Sequence, residues 1–292
     1  MSADPASGLA FRSTYSRGPE ALPQLYRSGG ACRRRSKTCV RVLDMENNTV
    51  RFACNGCGIC CKGRLIPLTL DEARQWLQRG HEVAVVLEAF DESTWPSEPR
   101  QFAHSAQRAV EVTSGDARIR VVAVLAGNAL TQCGNLGDDG RCGIYEERPL
   151  VCRIYPMEIN PHIALRPADK ICPPEVWETG EVLFTDRVVD PILADQIERS
   201  RQADRDDAQA KIALCEALGM NVAAWKGNAL AVYLPDRAQL AEAIVRYDRA
   251  PEAPTGLNWK VRVETPALAQ RLLQAGVALD DQRSTGYIFQ GL

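Results

Sequence analysis

The run CNGCGICC places Cys54, Cys57, Cys60 and Cys61 within eight residues, and that density limits what the segment can become. Two overlapping C-x2-C steps followed by a vicinal pair are hard to accommodate as apolar packing. A C-x2-C step lets two thiolates converge on one point from a single tight loop, and Gly56 and Gly58 supply the backbone freedom that loop needs. Backbone N–H groups left exposed by those glycines can donate to sulfur and favour the thiolate that a metal requires. The segment reads as a thiolate metal site. Adjacent side chains such as Cys60 and Cys61 diverge, so they suit two centres, or two irons of one cluster, with a strained vicinal disulfide as the bland alternative.

Four more cysteines follow: Cys133, Cys142, Cys152 and Cys172. Eight thiols divide into two four-coordinate sites, or into one such site with accessory thiols. All-sulfur donors suit zinc and iron–sulfur centres alike. The C-x2-C-x2-C opening and the Cys172-Pro173 pair echo a bacterial ferredoxin motif, which tilts the reading toward an iron–sulfur cluster over zinc. Cys61, following Cys60 at once, departs from that motif. A zinc ribbon would need a second C-x2-C, and none occurs near residues 133–172. Arg148 and Arg153 lie beside Cys152 and are read as compensating the negative charge of a tetrathiolate centre from behind the ligands. Their bland reading is a surface ion pair with Glu146 or Glu147. Tyr145 and Tyr155 are expected as core aromatics, His81, His104 and His162 as structural, and Cys215 as core packing.

Cysteine usage has to be weighed against compartment. The chain has 292 residues, 45% hydrophobic and 25% charged, with a net charge of −2, so its overall charge offers no argument for nucleic acid or an anionic membrane. The uncharged stretch 121–132 is far short of the roughly 20 residues a membrane helix needs. No basic start runs into an apolar signal segment. These features predict a cytoplasmic protein without a membrane partner, where clustered cysteines serve as metal ligands rather than disulfides.

Residues 1–44 hold eight Lys or Arg against three acids, a balance of +5, and sustain no apolar period. They are read as a disordered basic leader, with a nucleic-acid arm or an alternative start at Met45 as the other readings. Cys32 and Cys39 fall there and are not counted as ligands. Residues 45–177 are expected to form the cysteine-cluster domain. In it, Thr69-Leu70-Asp71-Glu72 makes a capping box and Gly80 a C-terminal stop, predicting a helix over 70–79 with Ala73, Trp76 and Leu77 facing the core. Residues 83–90 fit strand or helix. A hairpin is expected at 110–113 and 119–125, a turn at 137–140, and a short helix between Pro149 and Pro156 carrying Cys152 and Arg153. Residues 178–292 read as a helical stretch at 190–218 interrupted near Asp204, then strand 228–234, helix 237–248, strand 258–264, helix 266–275 and strand 285–290. The fold class is α+β: an irregular cysteine-rich core with a short β-hairpin and helices, then a small α/β C-terminal region without site chemistry.

The blocks FACNGCGICCKG and CGNLGDDGRCGIYEERPLVCRIYP, in this order over roughly residues 50–175, resemble the CxxCxxCC cysteine-cluster family, also called YkgJ-like. The resemblance implies cytoplasmic bacterial proteins that chelate zinc or iron through Cys54, Cys57, Cys60, Cys61, Cys133, Cys142 and Cys152, with Cys172 added as an eighth. Flagellin lysine N-methylases look like relatives with a similar cluster. An iron–sulfur-dependent methyltransferase is therefore the alternative to a non-catalytic metal-binding protein. No G-x-G-x-x-G or phosphate-binding loop supports a conventional cofactor site, and whether the chain is an enzyme stays open.

Overall fold

Residues 83–90, VAVVLEAF, lack polar alternation because both of their faces are covered. In the structure, a computed structural model that describes residues 49–92, 99–280 and 286–291, they form strand β3 (Val83–Phe90), buried at every position. A strand buried on both sides carries no period of two, and its β-branched residues Val83, Val85 and Val86 favour the extended form over a helix. The basic leader, Met45, Cys32 and Cys39 lie outside the described residues.

β3 organises an eight-stranded sheet. On one edge it pairs antiparallel along its full length with β5 (Ala117–Ala129). The hairpin expected from sequence is the first part of that strand, turned back on β4 (Val110–Ser114); β5 then runs on to pair with β2 (Arg64–Leu68). The other edge of β3 is also divided. Val85–Leu87 pair antiparallel with β8 (Ala229–Tyr233), and Glu88 and Ala89 pair parallel with β7 (Val222–Trp225). β9 (Lys260–Arg262) extends β7 in parallel, and β10 (Ile288–Gly291) extends β8 antiparallel. The C-terminal strands, expected as a small α/β region, thus share one sheet with strands from before residue 177.

One face of the sheet carries the larger core. Helix α1 (Leu70–Gln78) lays Leu70, Ala73, Trp76 and Leu77 onto it. Its start is the expected capping box: Thr69 accepts from the Glu72 N–H, and Glu72 accepts from the Thr69 N–H. At its end the His81 N–H reaches back to the Trp76 carbonyl across left-handed Gly80, which closes the helix as a Schellman turn. Burying a Leu such as Leu77 contributes about 1.5–3 kcal/mol. α5 (Ala208–Ala217) and α6 (Arg237–Arg249) complete this layer, with Cys215 fully buried as expected.

The helical stretch 190–218 divides into α4 (Pro191–Asp206) and α5 near Asp204 as expected, with the break at Asp207. Asp207 turns its carboxylate to the N–H of Leu70 at 2.7 Å. Asp204 stays helical because its side chain is held between Arg108 and Lys211, each at 2.8 Å, with Lys211 1% exposed. Away from the sheet, β1 (Val50–Phe52) pairs with β6 (Glu181–Phe184), and Phe52 packs on Trp177 at 4.9 Å. This ribbon delivers the chain to Cys54. Strands β1, β2, β6 and β7, and helix α2 (Pro99–Ala106), are additions to the elements expected from sequence.

Candidate metal centre

Four short segments carry the eight cysteines, and backbone contacts draw the segments together. The first leaves the β1–β6 ribbon, where the Ala53 N–H donates to the Val176 carbonyl at 2.8 Å. Asn55 accepts from the Cys57 N–H, and left-handed Gly58 then starts a single 3-10 turn, Ile59–Cys61. Gly58 is also the point of closest approach: a Cβ there would stand 2.6 Å from the Gly140 carbonyl oxygen and 3.1 Å from Leu136 Cδ1. Only glycine lets this loop seat against the 137–140 turn.

The second segment is tied directly to the first, since the Cys133 N–H donates to the Cys61 carbonyl at 2.7 Å. Leu136 and Cys142 form an isolated antiparallel bridge around the expected turn, in which the Gly140 N–H returns to the Gly137 carbonyl. That closure brings the backbones at Cys133 and Cys142 back toward each other. The His81 ring meets Trp76 edge to face and Asn135 at 3.1 Å, steadying the loop in the structural role expected of it. The third segment is α3 (Leu150–Ile154), with Pro149 as its N-cap and Cys152 within it. The fourth carries Cys172, whose thiol donates to the Tyr155 hydroxyl at 3.4 Å.

Electrostatics describe how these thiols neighbour one another. The hydrogen bond from Cys61 holds the Cys60 thiol down at about 6, with Arg64 and Arg148 adding to it against the opposing effect of burial. Cys61 is pushed up for the reciprocal reason, as donor to Cys60, and then by burial and by Cys133 and Cys152. Burial pushes Cys152 up to about 12, with Cys60, Cys133 and Cys142 adding to it. Cys133 is raised by burial and by Cys142 and Cys60. Cys172 is raised by burial, and the thiols that act on it are Cys60, Cys57 and Cys54. The neighbourhoods therefore fall into two sets, Cys61 with Cys133, Cys142 and Cys152, and Cys172 with Cys54, Cys57 and Cys60. Cys60 touches both. All nine cysteines among the described residues are free thiols, so Cys60 and Cys61 share a hydrogen bond and not a disulfide. Among the described residues no group of three or more such donors is already drawn to coordination distance.

The cationic surroundings differ from the sequence expectation in their details. Arg148 acts on both Cys60 and Cys152, and its guanidinium lies over the Tyr145 ring at 3.7 Å. Tyr145, expected in the core, is 51% exposed because that guanidinium, and not apolar packing, covers its face. Arg153 donates to the carbonyls of Arg148 and Glu146, both at 2.7 Å, and so braces the turn that carries Arg148. The residue that sequence reasoning missed is Arg64, at the start of β2. Its charge acts on Cys60 and on Tyr155, its guanidinium lies 5.7 Å from the Tyr155 ring centroid, and its buried Nε has no hydrogen-bond partner among the described residues. A buried donor without an acceptor beside a group of thiols fits a centre that becomes anionic when loaded. The only signal in the sequence was position, three residues after Cys61.

Residues 53–173 match the CxxCxxCC family, whose description reads "Putative zinc- or iron-chelating domain". Searches of curated proteins and of solved structures each returned no match. The methyltransferase alternative accordingly gains no support from a relative. Among the described residues no helix is long and apolar enough to cross a membrane.

Proposed function

We propose that the CxxCxxCC segment of this chain binds zinc or iron through two neighbouring thiolate centres, one from Cys54, Cys57, Cys60 and Cys172 and the other from Cys61, Cys133, Cys142 and Cys152. The observation that carries the reading is the meeting of four chain segments that bear the eight thiols, tied by the Cys133 N–H on the Cys61 carbonyl, by Gly58 seated against Gly140 and by Cys172 on Tyr155; the influence of the thiols on one another, centred on Cys60 and Cys61, supports it. A vicinal pair with diverging side chains is the natural place for two four-sulfur sites to abut. Arg64 and Arg148 compensate the charge that forms when thiols give up their protons. Bound metal would supply cross-linking of the four segments, and iron would add electron transfer. The free thiols suit a reducing compartment, which supports a cytoplasmic location.

Elemental analysis and an absorption spectrum of protein purified without oxygen test the reading. Two occupied centres per chain, read as two zinc ions or as the iron and sulfide of two clusters, falling to one centre in Cys172→Ser and also in Cys142→Ser, is the expected result. Acid-labile sulfide with broad visible absorption identifies iron–sulfur; colourless protein with stoichiometric zinc identifies closed tetrathiolate sites. Protein that retains no metal when purified without chelator refutes the proposal, and a single centre abolished by either variant refutes the two-centre form.

A further inference from the structure

Three parallel strands stop at the same end of the sheet. β3 and β7 run parallel, with Ala89 opposite Trp225, and β7 and β9 run parallel, with Ala224 opposite Arg262. Crevices outside the carboxyl ends of parallel strands are where open α/β sheets receive ligands. Here such a recess, of about 350 Å³, lies between the β7–β8 turn and the start of α7 (Pro266–Gln274), which follows β9. We infer that this recess binds the carboxylate or phosphate group of a small metabolite.

The donors carried by its lining residues set the ligand class. α7 opens there with Thr265 as N-cap, yet the Thr265 hydroxyl makes no capping hydrogen bond. The N–H groups of Ala267 and Leu268, in the first helical turn and on the recess wall, have no acceptor within the helix, and the helix dipole adds partial positive charge. Trp225 also lines the recess. It is 1% exposed, and its buried indole N–H has no hydrogen-bond partner among the described residues. A buried donor of that kind is costly unless something accepts from it. Asn228 spends its Oδ1 on the Glu264 N–H, which leaves its NH2 as a further donor. Charge is limited. Lys226 pairs with buried Glu88 at 2.6 Å and makes a neutral floor, so Arg271 on α7 supplies the cation. One guanidinium, one helix start and several neutral donors match a single anionic group and not a polyanion. None of these residues belongs to the thiolate segments, so this inference stands or falls independently of the metal reading.

Full-length protein labelled with nitrogen-15 is titrated with inorganic phosphate and, separately, with acetate, while the indole N–H resonances are followed; Trp225→Phe identifies the Trp225 signal. A saturable shift of that signal by at least one anion is expected, weakened about tenfold or more in Arg271→Gln. The anion that saturates at lower concentration identifies the head group. Should Trp225→Phe fail to fold, the thermal stabilisation of wild type against Arg271→Gln by the same two anions replaces the assignment. No saturable response to either anion, or a response undiminished in Arg271→Gln, overturns the inference.

Discussion

Two glycines in the cysteine loop offer a matched pair of perturbations. Gly56 and Gly58 both sit in the left-handed region, at φ 72 and 67, but a Cβ on Gly56 would meet nothing within 4 Å, whereas one on Gly58 would strike the Gly140 carbonyl oxygen at 2.6 Å. Gly56→Ala should therefore cost only the backbone penalty, about 1–2 kcal/mol. Gly58→Ala carries that penalty plus the displacement of a packed neighbour, a further ~1–3 kcal/mol, for a total of about 2–5 kcal/mol. The extra cost is also directional, because it lifts the loop holding Cys57 and Cys60 from the turn that precedes Cys142. Urea unfolding of both variants, with metal per chain measured after dialysis, separates the two contributions. Gly58→Ala should have the lower midpoint and the lower metal content, and Gly56→Ala should hold metal nearly as wild type does. Equal midpoints and equal metal would refute the argument that the loop must seat against residues 137–140.

Asp204→Asn leaves Lys211 and Arg108 without their shared carboxylate in a buried setting and should cost about 3–5 kcal/mol, read from denaturant unfolding; a loss below about 1 kcal/mol, the surface-pair range, would count against the pairing. Burial, with Arg108, His162 and Arg201 adding and Asp204 opposing, holds His104 at about 4, well below the roughly 6.5 of a free histidine. The folded state thus favours the neutral ring, so its contribution is complete above pH ~6.5 and is lost as pH falls toward 4. His104→Gln should flatten the melting temperature over that window, and parallel curves would show that His104 is not the titrating group. Cys215, fully buried and pushed up by its burial, should resist alkylation in native protein while the exposed Cys54 reacts in metal-free protein; mass spectrometry of labelled peptides with the reverse order would overturn the core assignment.

Local signals were legible and distant ones were not. The capping box at Thr69 and Glu72, the Gly80 stop, and the α6 start at Asp236 depend on contacts three to five residues apart, and each stands where the pattern put it. β7, at four residues, is too short to carry a period, and its pairing with β3, like that of the expected strand β9 with β7, is a long-range event. The break expected near Asp204 falls three residues on at Asp207, because Asp204 itself is held in the helix by Arg108 and Lys211, partners that only the fold reveals. The eight cysteines stand out by spacing alone as candidate ligands. Which of them neighbour one another does not, since Cys172 comes near Cys54 and Cys57 only through the folding of the β1–β6 ribbon and the aromatic contacts of Phe52. Arg64 was hidden for the same reason: a lone arginine acquires meaning from the thiol that the fold puts beside it.

The divided edge of β3 has a consequence during synthesis. Once β5 has emerged from the ribosome, one side of VAVVLEAF is paired, but the other side waits for Val222–Tyr233, roughly 100 residues later, or on the order of 5–20 seconds at ~5–20 residues per second. Through that interval the nascent chain presents an apolar, uncapped strand to every neighbouring polypeptide. An apolar edge left unpaired in this way is a template for association, so a chain terminated before residue 222 is expected to aggregate.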